Sequence, residues 1–310
     1  MIALKTFEIR LPMRKNNLKY VFFGTPDFAA QILEKLILNN YPPSLIVCNP
    51  DKPTGRKKII TPPPVKKIAI KYGLEYYQPE RLSFTEFKSK LGDSNNFGIV
   101  AAYGKIIPET ILNLFNMGII GIHPSLLPQY RGPSPIQSAI LNGDLKTGIS
   151  LFVLDNKMDH GKILASESIP IKDSDNFLDL QNKLADLGAN LIIKILPKFL
   201  DGEIILKEQN EEMATYTKKF TSQDAFIEPV EIEKAINGDK KSALAVLRKI
   251  NAFCLEPGAW TILEKPLRIK SIDLPPQKRI KLIKARIVNE KLEILSFQIE
   301  GKRQINILNS

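Results

Sequence analysis

A chain of 310 residues that is 44% hydrophobic and 25% charged can bury a sizeable core, or two, without disulfide or metal staples, which excludes a disordered tail protein. Lys and Arg number 44 against 33 Asp and Glu, a net charge of +11, and this balance favours a polyanionic partner or substrate without naming one. The two cysteines, Cys48 and Cys254, form no C-x-x-C, so neither a disulfide framework nor a thiolate metal site is indicated, and no apolar stretch approaches the ~18 to 20 residues of a membrane span. The N-terminus also lacks a signal-peptide apolar core, so a soluble, cytoplasmic chain is expected.

Residues 1–18 read as a polar extension with Met13 as a second candidate start, and they stand outside the fold argument. From Lys19 to about Ile205, β-rich runs alternate with helical patterns, the mark of βαβ units and a mostly parallel sheet. The expected strands are 20–23, 45–48, 97–102, 119–123 and 148–154, and the expected helices lie near 27–38, 65–72, 108–115, 134–141 and 175–200. At the first joint, Gly24 allows a tight exit, Thr25 can cap, Pro26 fits the first helical turn and Asp27 complements the helix dipole. It is no G-x-G-x-x-G, and no Walker A motif occurs, so a dinucleotide or P-loop site has no sequence support.

The polar segment 207–222 reads as a linker. Helical stretches at 230–236 and 240–252 then precede alternating runs at 259–263, 267–272, 280–288, 291–298 and 302–308, which predict a small antiparallel barrel or sheet as a second domain, 223–310. From residue 221 onward Lys and Arg number 16 against 11 Asp and Glu, so the basic surplus is shared by both halves.

Only two histidines exist, His123 and His160. His123 ends an apolar strand and opens the loop Pro124-Ser125-Leu126-Leu127-Pro128-Gln129-Tyr130-Arg131-Gly132. The carboxyl end of a parallel strand is where α/β sheets bind ligands, although a lone strand-end His is more often structural. Asp159 follows the next strand. If the two strands are neighbours, a carboxylate reaches the imidazole from the same edge and can orient it; the plain alternative is a β-turn using Asp155 and Asp159 as backbone acceptors. A third cluster, Asp51 to Pro64, holds Lys52, Arg56, Lys57 and Lys58 in a connection longer than usual, suited to gripping phosphates or else a solvated charge run.

Together these segments resemble the methionyl-tRNA formyltransferases, from about residue 19 to the end. The matching pieces are Phe22-Phe23-Gly24-Thr25-Pro26-Asp27-Phe28-Ala29, the loop 51–64 running into Val65-Lys66, Ala101-Ala102-Tyr103-Gly104, and His123-Pro124-Ser125-Leu126-Leu127-Pro128 through Arg131-Gly132 with Pro135-Ile136-Gln137. Leu154-Asp155 through Asp159-x-Gly161, Thr215-Tyr216-Thr217-Lys218-Lys219 and Pro257-Gly258-Ala259-Trp260 complete them. The Ser-Leu-Leu-Pro-x-x-Arg-Gly loop marks the wider formyl-folate transferases; the basic loop and the tail narrow it to the tRNA enzymes.

The resemblance implies a Rossmann-like formyltransferase domain, 19–206, and a C-terminal OB-like β-barrel that assists tRNA binding. It implies formyl transfer from 10-formyltetrahydrofolate to the α-amino group of initiator methionyl-tRNA, by a monomer and without a metal. His123 would donate to the oxyanion or shuttle the proton, and Asp159 would stabilise the imidazolium. Ala102, Tyr103, Gly104, Ser125, Leu126, Leu127 and Pro128 would line the folate pocket, and Arg56, with Lys57 and Lys58, would grip the acceptor stem. The chain departs from the pattern at Gly121, where the family carries an Asn: a missing oxyanion donor typically costs about 10² to 10³ in turnover. On that basis Gly121→Asn is expected to accelerate transfer. Formyl transfer to a small amine (an amino sugar or glycinamide nucleotide) and a catalytically silent RNA-binding relative are the alternatives.

Overall fold

The computed structural model of the chain describes residues 18–55, 57–91, 96–269 and 272–307. The extension 1–17 and Arg56 lie outside the described residues. The first strand, β1 (Tyr20–Gly24), is buried along its whole length, as expected of an all-apolar run covered on both faces. Gly24 stands where a Cβ would meet Ala29 Cβ and Phe22 Cε1 at 2.7 Å, so strand and helix close tightly there. Helix α1 (Asp27–Leu38) has the bounds its periodicity predicts and buries Phe28, Ile32, Leu33, Leu36 and Ile37 on one face. Asp27 lies in its first turn, but the cap position belongs to Pro26, which makes no side-chain cap bond. The expected cap, Thr25, instead donates its hydroxyl to Tyr103 O at 3.1 Å.

After β2 (Leu45–Val47) the long connection is a β-hairpin rather than a plain loop: β3 (Lys52–Thr54) pairs antiparallel with β4 (Ile59–Thr61). Then follow α2 (Pro64–Lys71), β5 (Tyr76–Tyr77), α3 (Phe84–Leu91), β6 (Phe97–Ala101), α4 (Glu109–Leu112), β7 (Ile119–His123), α5 (Pro135–Asn142), β8 (Lys146–Val153), β9 (Ile163–Pro170) and α6 (Phe177–Leu200). The two-residue β5, the helix α3 and the half-exposed β9 are additions to the predicted set, each too short or too polar to show a strong period.

The central sheet runs β5-β2-β1-β6-β7-β8-β9. Strands β5, β2, β1, β6 and β7 are parallel, and β8 runs antiparallel to β7, with His123 opposite Ser150. Strand order reverses between β1 and β6, so their carboxyl ends form the crevice where such sheets receive ligands. Beneath it Phe23 packs against Phe87, Tyr103 and Phe115 at ring distances of 5.8 to 6.2 Å, within an apolar cluster that includes Val21, Val47, Ile111 and Ile119. Each such side chain is worth roughly 1.5 to 3 kcal/mol of burial.

The chain divides into two compact units, and the division is not a single cut. One unit holds the residues up to Gln129 with 148–167 and 182–214; the other holds 130–147, 168–181 and 215 onward. The second unit contains α5, α7 (Pro229–Asn237) and α8 (Lys240–Ala252), followed by β10 (Trp260–Ile262), β11 (Leu267–Ile269), β12 (Ile272–Leu274), β13 (Arg279–Val288), β14 (Lys291–Ile299) and β15 (Gln304–Asn306). Its strands form the antiparallel, β-rich tail that the alternation predicts: β10-β13-β14-β15 in one sheet and β11-β12 in a pair. Arg131, fully buried in this unit, donates to the Tyr216 hydroxyl at 3.0 Å. Among the described residues no helix is long and apolar enough to cross a membrane.

Candidate active site

His123 ends β7 at the carboxyl edge of the parallel sheet and is 6% exposed. Asp159 reaches it: the carboxylate Oδ2 lies 3.6 Å from the imidazole Nδ1. The route differs from the expected one. Because β8 is antiparallel to β7, Leu154 leaves the sheet beside Ile119, at the far end of β7, where its N–H donates to the Ile119 carbonyl. Loop 154–162 must therefore fold back for Asp159 to meet His123. At 3.6 Å the pair has ion-pair geometry, with slack that a bound reactant can close.

The loop after His123 is clipped down from inside. Ser125 N–H donates to the His123 carbonyl at 2.9 Å, and Ser125 Oγ donates to Gln129 O at 2.6 Å. Ser150, fully buried on β8 opposite His123, donates to Ser125 O at 2.8 Å and accepts from Leu127 N–H at 2.9 Å. Ser125 and Leu127 are thus buried residues whose polar groups bond to the loop itself and to β8, while Leu126 and Pro128 are half-buried. Sequence reading missed Ser150, since a serine within an apolar strand carries no signal of what it faces.

Gly121 has lost more than an amide. A Cβ there would lie 2.3 Å from Phe152 Cε1, 2.6 Å from its Cζ and 2.9 Å from Leu154 Cδ1. Phe152, buried and opposite Gly121 in the register, has its ring where a side chain at 121 would begin. The expectation that Gly121→Asn simply restores a donor is therefore corrected, because the space is filled.

The turn Ala102-Tyr103-Gly104 sits at the strand-order reversal. Ala102 and Gly104 are exposed with φ of +45° and +77°, while Tyr103 is buried. Thr25 Oγ1 and Asn49 Nδ2 both donate to Tyr103 O, at 3.1 and 3.0 Å, and Gln78 Nε2 donates to Asn49 O at 2.8 Å, stitching together the carboxyl ends of β1, β2, β5 and β6. Cys48, at the end of β2, is buried, and burial pushes its thiol up to about 12, so it is no nucleophile at neutral pH.

A cavity of about 740 Å³ opens beside β7 and the start of loop 154–162. Leu112, Phe115, Ile119 and Leu154 give it apolar walls, and Asp155 and Asn156 a polar rim. It shares that loop with Asp159 and is lined by none of Ala102 to Gly104 or Ser125 to Pro128.

The hairpin β3–β4 presents Lys52, Lys57 and Lys58 to solvent, together with Ile59 and Ile60, each 62% exposed. Its foot is tied down: Lys66 Nζ bonds both Asp51 oxygens at 2.9 and 2.8 Å, and Gln78 Nε2 reaches Asp51 Oδ1 at 2.9 Å. These donors, Lys66 foremost, hold the Asp51 carboxyl below its ordinary value.

Residues 18–196 match the formyl transferase family. The methionyl-tRNA formyltransferase of Kosmotoga olearia is 37% identical over 305 residues, 94% of each chain, and that of Dictyoglomus thermophilum is 37% identical over 94% of this chain and 95% of its own. The methionyl-tRNA formyltransferase of Staphylococcus aureus (strain Newman) is 34% identical over 94% of each. Among solved structures, the methionyl-tRNA formyltransferase from Clostridium thermocellum superposes with a TM-score of 0.57 at 17% identity, covering 91% of this chain and 98% of that one. An N-formyltransferase from Helicobacter canadensis, in complex with folinic acid and dTDP-3-aminofucose, gives 0.56 at 18% identity over 85% and 95%, and at that identity the likeness is one of fold. Extended over nearly the whole length, these relationships establish that the chain belongs to the formyl transferase family, among the methionyl-tRNA formyltransferases.

Proposed function

We propose that this enzyme transfers the formyl group of 10-formyltetrahydrofolate to the α-amino group of initiator methionyl-tRNA. The single observation that carries the reading is the His123–Asp159 pair, 3.6 Å apart at the sheet's ligand edge, in a chain related over 94% of its length to enzymes named for that reaction. The amine attacks the formyl carbon, forming a C–N bond and an oxyanion. As the bond to folate N10 breaks, the amine gives up a proton and N10 takes one. His123 holds that proton and donates to the oxyanion, and Asp159 orients the ring. Position 121 contributes no donor, so His123 carries more of this load than it would beside an amide.

The folate binds at the carboxyl edge of the parallel strands beside His123, and not in the cavity by Leu112, Phe115, Ile119 and Leu154, which opens at the opposite end of β7. Ala102, Tyr103 and Gly104 form the outer turn of this site, and Ser125, Leu126, Leu127 and Pro128 serve as the wall that carries His123. Lys57 and Lys58, with Arg56, attract the acceptor stem by charge, and the tail 223–310 adds tRNA contacts of its own. One chain is the working unit.

The test is a single-turnover assay with charged initiator and elongator methionine tRNAs and 10-formyltetrahydrofolate. Formylation of the initiator tRNA is the expected result. Transfer to a free amino sugar or glycinamide nucleotide with none to tRNA would overturn it, as would tight, salt-sensitive tRNA binding without transfer.

A further inference from the structure

The loop that delivers Asp159 is held by side chains that the proposed chemistry does not use. Asp159 has φ of +49°, a left-handed conformation that costs a non-glycine residue energy and persists where the surroundings impose it. Gln209 supplies part of that constraint: its amide nitrogen donates to the carbonyl oxygens of both Asp159 and Gly161, at 2.9 and 2.8 Å. His160 supplies another part. Its Nδ1 lies 2.5 Å from Asp155 Oδ2 and its Nε2 3.5 Å from Glu211 Oε1, so the ring links the loop's beginning to the strip 207–213.

That strip is itself anchored, with Ile163 and Lys207 exchanging backbone bonds of 2.8 and 3.0 Å. At the loop's far end, a Cβ on Gly161 would fall 1.7 Å from Val153 O, so that turn is closed as tightly as backbone allows. The His160 imidazole thus hydrogen-bonds Asp155 and stands within ion-pair reach of Glu211, a brace between loop and strip.

We propose that His160 and Gln209 are positioning residues for formyl transfer, bracing loop 154–161 so that the Asp159 carboxylate stays on His123. The inference rests on the role given to Asp159 above. A carboxylate displaced by about 1 Å can cost up to about 10² in rate, whereas neither brace residue is given a part in binding substrate above.

Full-length variants in the single-turnover assay decide it. His160→Ala and Gln209→Ala should each lower kcat about tenfold, with KM for folate and tRNA within about twofold of the parent. His160→Asn, whose amide nitrogen can take the place of Nδ1 and donate to Asp155, should recover to within about threefold. In an Asp159→Asn background, His160→Ala should change the rate by less than about twofold, since the two act through one carboxylate. Parent-like turnover in His160→Ala beside a collapsed Asp159→Asn would overturn this inference alone. An undiminished effect in the Asp159→Asn background, or a raised KM with kcat preserved, would do the same. Parent-like turnover in Asp159→Asn would overturn the role of Asp159 and this inference with it.

Discussion

The His123 edge and the β3–β4 hairpin both leave carboxyl ends of parallel strands, yet they are built in opposite ways. Around His123 the polar groups turn inward: Ser125, Ser150, Leu127 N–H and Gln209 are bonded within the protein, and the imidazole is almost wholly covered. On the hairpin the lysines and two isoleucines face water, and bonding concentrates at the foot, where Asp51 meets Lys66 and Gln78. Acid–base chemistry needs atoms fixed to fractions of an ångström, and burial with satisfied hydrogen bonds provides that. Attraction for phosphates needs charge and reach, which burial would remove.

Four perturbations break or sharpen this contrast. The largest effect is expected for His123→Ala, which should slow single-turnover transfer by about 10² to 10⁴ while leaving tRNA affinity near the parent value by filter binding. Gly121→Asn comes next: with the Phe152 ring already in place, the variant should lose about 1 to 3 kcal/mol in denaturant unfolding and transfer more slowly. Adding Phe152→Ala to it should restore part of both, and a faster Gly121→Asn single variant would show that the ring yields.

The paired change Lys57→Ala and Lys58→Ala should leave kcat unaltered, raise KM for tRNA several-fold and flatten the salt dependence of binding by about two in log–log slope. The smallest effect belongs to Asp51. Its carboxyl is held down in the folded state, so its contribution is present above the unfolded value, near 4, and is lost as pH falls through the lower folded value. Asp51→Asn should therefore lower the thermal midpoint slightly at neutral pH and meet the parent value at low pH, which flattens the acid limb of a plot of midpoint against pH.

Helix α1 was legible to the residue because its apolar spacing is regular and its ends are marked, and the long strands β1, β6 and β7 were legible as unbroken apolar runs. The hairpin was not, since Lys-Pro-Thr and Ile-Ile-Thr are too short to show a period, and Pro and Gly nearby suggest a loop. At the site, His123 stood out as the end of a strand. Thr25 appeared as a helix cap because capping is the local use of a threonine before a helix, but a carbonyl 78 residues away claimed its hydroxyl.

Which residues are chemically able was therefore written in the chain itself: one strand-end imidazole, one later carboxylate, a surplus of cations, and the loop shared with formyl transferases. Folding alone decided what they meet. The antiparallel turn of β8 sends Asp159 back to His123 by a looped route, Phe152 closes the space at Gly121, and Gln209 reaches Asp159 from 50 residues on. Each of these contacts joins positions distant in the chain. Local propensity and spacing cannot encode such pairings, whereas strand order and close packing impose them.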